Sequence, residues 1–170
     1  MSNPRSRATR LVRSLQDGYG VQYWGTTFNA ETLSDQPHGL LILEVTKIGA
    51  PYSDTGREVL FTPEEIATIN RNGARPVLGY LNVSEVETYR DYWIDQIGGI
   101  DAPVPEVVPD WYGPTTVHGE HLSSYWEDSW HEILLDRTDR LMQTGIDGLF
   151  LDDVLHYYSH ALDKTLQWPQ

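Results

Sequence analysis

The chain has 170 residues, enough for one domain with a substantial core, and a formal net charge of -13 with only Lys47 and Lys164 as lysines. Such a surface repels nucleic acid and anionic membranes and favours cationic partners. There is no cysteine, which excludes disulfides, thiolate metal sites and a cysteine nucleophile, and no apolar run approaches the roughly 18 residues of a membrane span.

Residues 1 to 16 read as a polar arm, with a short helix from Arg7 to Leu15. Its four arginines (Arg5, Arg7, Arg10, Arg13) precede no apolar segment, so the chain as written shows no signal peptide. Gly18 and Gly20 punctuate, and Val21 to Trp24 reads as the first strand. A short helix follows near Ala30 to Leu33. Leu40 to Val45 is a continuous apolar run interrupted by Glu44, the pattern of a buried parallel strand. A carboxylate there needs a partner or a function.

Thr62-Pro63-Glu64-Glu65 opens a helix, with Thr62 as N-cap, Pro63 at the first helical position and Glu65 closing a capping box. Asn72-Gly73 stops it. Pro76 to Leu81 reads as a buried strand that breaks at Asn82 and delivers Glu85 and Glu87 at once. Tyr89 to Trp93 then opens a helix. Residues 98 to 125 read as irregular, with Trp111 and Tyr112 inside a long loop of the kind that lies over a site. Asp128 is expected to cap a helix whose Trp130, Ile133, Leu134 and Leu141 share one inward face. Gly145 ends it. Gly148 to Asp152 reads as another apolar strand ending in acid, and a last helix is expected from Val154 towards Leu166.

Strands alternating with helices predict a parallel α/β architecture. Glu44, Glu85 and Asp152 stand at the C-terminal ends of three strands, where α/β barrels gather their chemistry. Six Trp and ten Tyr beside three Phe supply rings with polar edges, which suit sugar stacking. No glycine-rich phosphate loop follows a strand, so no nucleotide cofactor is expected. His118-Gly119-Glu120-His121, and Asp152-Asp153 with His156 and His160, offer metal-ligand types without a recognised metal spacing, so no metal is expected.

The stretch Tyr80-Leu81-Asn82-Val83-Ser84-Glu85-Val86-Glu87-Thr88-Tyr89-Arg90-Asp91-Tyr92-Trp93 resembles the glycoside hydrolase 114 family, which writes it close to Y-L-S-I-G-E-A-E-x-Y-R-x-Y-W. Tyr125-Trp126 with Trp130, and Asp147-Gly148-Leu149-Phe150-Leu151-Asp152 with Tyr157, match two further family stretches. The resemblance covers residues 19 to 160. It implies a TIM-type (β/α) barrel over residues 17 to 170. About five βα units are expected here without the C-terminal ones, the alternatives being a truncated reading frame, a fragment, or a five-stranded relic whose open edge another copy covers.

It implies a glycosidase cleaving an α-1,4-linked galactosamine polymer, a cationic polysaccharide. Glu85 would be the general acid and Glu44 the nucleophile or base, the two carboxylates such hydrolysis uses. Asp152, Glu87, Tyr80, Arg90, Tyr125, Trp126 and Trp24 would bind substrate. Two departures bear on this: the family has Asp where Glu44 stands, and Gly where Ser84 stands. The first of these, with the missing C-terminal strands, favours the alternative of a non-catalytic carbohydrate-binding or inactive homologue.

Overall fold

The computed structural model describes residues 4–25, 27–47, 52–53, 55–100, 102–116, 119–156 and 158. In chain order the elements are α1 (Pro4–Ser14), a 3-10 turn (Leu15–Asp17), β1 (Tyr19–Gln22), α2 (Ala30–Asp35), β2 (Leu40–Leu43), β3 (Thr46–Lys47) and β4 (Val59–Leu60). Then come α3 (Pro63–Ile69), β5 (Val77–Asn82), β6 (Glu85–Val86), α4 (Asp91–Gln96), β7 (Tyr112–Thr115), β8 (His121–Ser123), α5 (Asp128–Gln143) and β9 (Gly148–Asp152). They fall into two compact units. The first comprises Met1–Lys47, Leu60–Leu81 and Asp139–Phe150; the second comprises Ile48–Val59, Asn82–Thr138 and Leu151–Gln170.

The first unit is built on a parallel sheet in the order β1-β2-β5-β9. Tyr19 to Gln22 pair with Leu40 to Leu43, and Leu41 to Leu43 pair with Val77 to Gly79. All four residues of β2 are buried, which is why its sequence is apolar without alternation. The first strand lies two residues earlier than Val21 to Trp24, because pairing with β2 recruits Tyr19 and Gly20. Trp24 therefore falls beyond the strand and is exposed. Gly79 allows close approach: a Cβ there would lie 2.7 Å from Ile146 Cδ1 and 2.9 Å from Val45 Cγ2.

Local signals hold the helices of this unit. The Asn29 side chain accepts from Thr32 N at 2.9 Å and caps α2. Thr62 and Glu65 form the expected capping box at the start of α3, and the Glu65 carboxylate also takes Lys47 Nζ at 3.0 Å. Arg71 and Asn72 share a φ of 54 and Gly73 has 87, so the helix closes through three left-handed residues. Arg75, 2% exposed, then donates to the Leu33, Gln36 and Ile69 carbonyls at 2.6–2.7 Å, gathering the ends of α2 and α3. In α1, Arg10 donates to Gly73 O at 2.9 Å and pairs with Asp147, whose other oxygen accepts from Val77 N at 3.0 Å.

The second unit corrects the irregular reading of residues 98 to 125. β7 and β8 lie in that stretch, and they form a three-stranded antiparallel sheet in the order β6-β8-β7. Trp111 and Tyr112 are core: with Val86, Trp93 and Trp130 they form one buried cluster, against which Tyr92, Tyr125, Ile133 and Leu134 pack. Tyr92 meets both Trp111 and Trp130 edge-on, with centroids 5.8 and 5.6 Å away, a favourable ring geometry. Asp128 is the first residue of α5 rather than the residue before it. The final helix expected from Val154 lies largely outside the described residues.

Beside this core sits a closed ionic group. Glu58 is fully buried and takes Arg90 Nη1 at 2.9 Å and Arg137 Nη1 at 2.7 Å. Arg137 Nη2 adds a third arginine contact at 3.1 Å, and Glu58 Oε2 accepts from Asp91 N at 3.1 Å. Burial pushes the Glu58 carboxyl up, but Arg137 and Arg90 outweigh it and hold it at about 2.

Candidate active site

β5 breaks at Asn82 because its side chain turns the backbone. Asn82 Oδ1 accepts from Ser84 N at 3.2 Å and Glu85 N at 2.8 Å, a local turn of the Asx kind. Other strands and helices fix this turn. Val83 N donates to Asp152 O at 3.2 Å, and Trp130 Nε1 donates to Val83 O at 2.9 Å. Ser84 O accepts from both Ser123 N and Ser123 Oγ. Glu85 is thereby delivered in β6, opposite Leu122 of β8.

Asp153 closes the arrangement from the end of β9. Asn82 Nδ2 donates to Asp153 Oδ2, and Ser84 Oγ donates to Asp153 O. Asp153 has φ 57, a left-handed backbone in a residue with a side chain, and such strain persists where the surroundings enforce it. His156 follows one turn later, its Nε2 3.4 Å from Glu85 Oε1 and 3.7 Å from Asp153 Oδ1.

The Glu85 side chain is 22% exposed. Burial first, then the nearby Asp153, Glu120 and Glu87 carboxylates, push its carboxyl up to about 7 against the opposing hydrogen bond from Asn82. Asp153 is raised too, by burial and by Asp152, with His156 opposing. Glu85, Glu87, Tyr89, Glu120 and His121 share the lining of an open cavity of about 620 Å³, whose apolar wall is Ala102 to Val104. Burial lowers His121, and its Nδ1 lies 2.6 Å from Tyr112 OH.

The structure brings together two of the residues expected from sequence, Glu85 and Glu87, on one cavity. Glu87 is oriented by Arg90 Nε at 2.7 Å and by Tyr89 OH. Arg90 itself is 0% exposed and spans Glu87 and Glu58, so it reaches the cavity only through Glu87. Asp152 accepts from Asp153 N at 3.0 Å and shapes the left-handed turn. Tyr125 packs on the tryptophan cluster and edge-on against Trp126, which is 48% exposed.

In the first unit, Glu44 is 4% exposed, and its Oε1 accepts from Thr46 N at 3.0 Å and Thr46 Oγ1 at 2.7 Å. Tyr80 stacks obliquely on Tyr23 with centroids 4.6 Å apart, and Tyr23 touches Trp24, which is 75% exposed.

Sequence reasoning missed Glu58, which nothing in its loop signals. It gave Asp153, Glu120 and His156 only as possible metal ligands. The adjacent pair Asp152-Asp153 at a strand end was the available signal. Glu85, Asp153 and His156 bring ligand atoms within 4.8 Å of one another. Ligation needs both carboxyls deprotonated, and both are pushed up. The same geometry suits proton exchange. His118, Tyr157 and His160 lie outside the described residues.

No family model matches the chain. An uncharacterized protein of Deinococcus radiodurans is 30% identical over 152 residues, which are 82% of this chain and 42% of that protein. The chain spans less than half the length of the curated relatives it matches. Among solved structures, Aspergillus fumigatus Ega3, determined in complex with galactosamine, superposes with a TM-score of 0.57 at 15% identity, over 85% of this chain and 47% of Ega3. The glycoside hydrolase domain of Pseudomonas aeruginosa PelA gives 0.47 at 18% identity, over 79% and 44%. The chain is a parallel α/β protein sharing the fold of Ega3. It is the fold that the resemblance to glycoside hydrolase family 114 implied.

Proposed function

We propose that this chain carries the acid half of a glycosidase site for a galactosamine-containing polysaccharide. One observation supports this most. Glu85 stands at the edge of an open cavity with its carboxyl held up at about 7. A protonated carboxyl near neutral pH is what a general acid needs to protonate a departing glycosidic oxygen. The motif around Glu85 and the fold shared with Ega3, itself seen with galactosamine, support the same reading.

The second carboxylate that the reaction needs is proposed, on the sequence resemblance alone, to be Glu44. Its Oε1 accepts from Thr46 N and Thr46 Oγ1, which fix the orientation of the carboxyl group. The acidic surface and the carboxylates on the cavity suit a polymer carrying ammonium groups. An α-1,4 linkage is proposed from the family resemblance.

The test is release of new reducing ends from α-1,4-galactosamine polymer at about pH 6. Wild type is expected to cleave. Glu85→Gln, which keeps the shape and removes the proton, is expected to lose on the order of 10²- to 10⁴-fold in rate. Equal rates from the two proteins would sink the assignment of Glu85.

A further inference from the structure

Among the described residues, His156 is the cation-capable group placed against Glu85, and the proposed acid chemistry leaves it without a task. Its ring is poorly accounted for by packing. The Nδ1 atom is buried and has no hydrogen-bond partner among the described residues. A histidine kept for structure would normally satisfy that nitrogen. Among the described residues, two carboxylates lie against it, Glu85 Oε1 at 3.4 Å and Asp153 Oδ1 at 3.7 Å from Nε2.

The backbone is arranged to put the ring there. His156 N donates to Asp153 O at 3.2 Å, and Asp153 is the left-handed residue tied to Asn82 and Ser84. Asn82 also fixes Glu85 through its main chain. One side chain therefore sets the position of both the acid and the histidine. At 20% exposure His156 also reaches water.

We propose that His156 is a positioning residue for Glu85, orienting its carboxyl through Nε2 and returning to it the proton given up in each turnover. This rests on Glu85 acting as the general acid. The Glu85 O–H bond breaks as its proton moves to the departing glycosidic oxygen. The carboxylate so formed takes the Nε2 proton of the imidazolium. Nε2 of neutral His156 then takes a proton from solvent, which receives in turn the proton that the attacking water gives up through Glu44 acting as base, and no other reactant is needed. A contact of 3.4 Å is long for a hydrogen bond, and such catalytic contacts commonly shorten when substrate closes the site. The charged groups facing Glu85 are Asp153, Glu87 and Glu120.

The experiment compares wild type, His156→Ala, His156→Gln and Glu85→Gln on galactosamine polymer from pH 5 to 8, with and without added imidazole. His156→Ala is expected to lower kcat by about tenfold or more while KM stays within about twofold. Free imidazole should restore that variant and leave Glu85→Gln unchanged, an outcome that a purely structural role does not produce. His156→Gln, which keeps a donor of similar reach, should keep KM and stay slow. Unaltered kcat in folded His156→Ala across the range overturns the role of His156 and leaves Glu85 standing.

Failure of the wild type to cleave overturns the glycosidase reading, and the turnover role with it. The contact itself is read separately, by following the His156 ring nitrogens by NMR against pH. Glu85→Gln should shift their titration midpoint, and an identical curve in both proteins overturns the proposal whatever the activity or the fate of the alanine variant.

Discussion

Glu58 and Glu85 are carboxylates of the same unit, both shielded from water, and their surroundings move them in opposite directions. Glu58 faces two guanidinium groups and is held at about 2. Glu85 faces three carboxylates and is pushed up to about 7. Burial opposes ionisation in both, so the sign of the neighbours decides. The difference separates a buried strut from a carboxyl at the edge of a cavity. The matched group, Glu58 with Arg90 and Arg137, is closed to solvent and ties α4 to α5. The mismatched group borders an open cavity.

The largest expected effect comes from unbalancing the strut. Glu58→Gln leaves two buried guanidinium groups short of a counter-charge, which should cost about 3–5 kcal/mol, measured by urea unfolding at pH 7. A loss below about 1 kcal/mol would show that water reaches the arginines. Next in size is Glu85→Gln, which removes a charge the fold disfavours. At pH 8 it should raise stability by on the order of 1 kcal/mol, after allowing for solvent screening.

The pH windows sharpen the contrast. The raised Glu85 carboxyl contributes stability that is present below its unfolded value near 4.5 and lost as pH rises through about 7. The advantage of Glu85→Gln should therefore grow from pH 4.5 to 7 and level off above. The depressed Glu58 carboxyl behaves in reverse. Its contribution is present above about 4.5 and lost as pH falls towards 2. Melting temperatures of wild type and the two variants across pH 2 to 8 would show both slopes, and slopes of the same sign would break the comparison. The smallest effect is expected from Glu120→Gln. Removing one of the carboxylates that raise Glu85 should move the basic limb of the activity profile down by about half a pH unit, with a stability change within about 0.5 kcal/mol.

Much of this frame was legible because its signals are local or continuous. The capping box of Thr62 and Glu65 lies within four residues, and β2 and β5 announce themselves as apolar runs. The placement of Glu85 was legible too, since Asn82 breaks a strand just before it. The small antiparallel sheet was not. β6 and β8 are two and three residues long, and they pair across more than thirty residues that include Pro103, Pro105, Pro109 and Pro114, so neither periodicity nor propensity marks them. Arg90 was ambiguous for a different reason. An arginine beside acids suits a cleft and an interior strut equally, and only its partner Glu58, distant in sequence, decides between them. His156 was visible as a ligand type, but its meaning depends on the left-handed turn at Asp153, which sequence does not display.

Arg75 closes the ends of two helices with one side chain, since its guanidinium donates to the carbonyls of Leu33 in the last turn of α2, Gln36 just after it and Ile69 at the end of α3. The two helices should therefore lose protection as one cooperative block in native-state hydrogen exchange, although each has its own N-terminal cap. Lysine at this position could not reproduce the planar fork, so Arg75→Lys should split that block into two opening events with separate free energies.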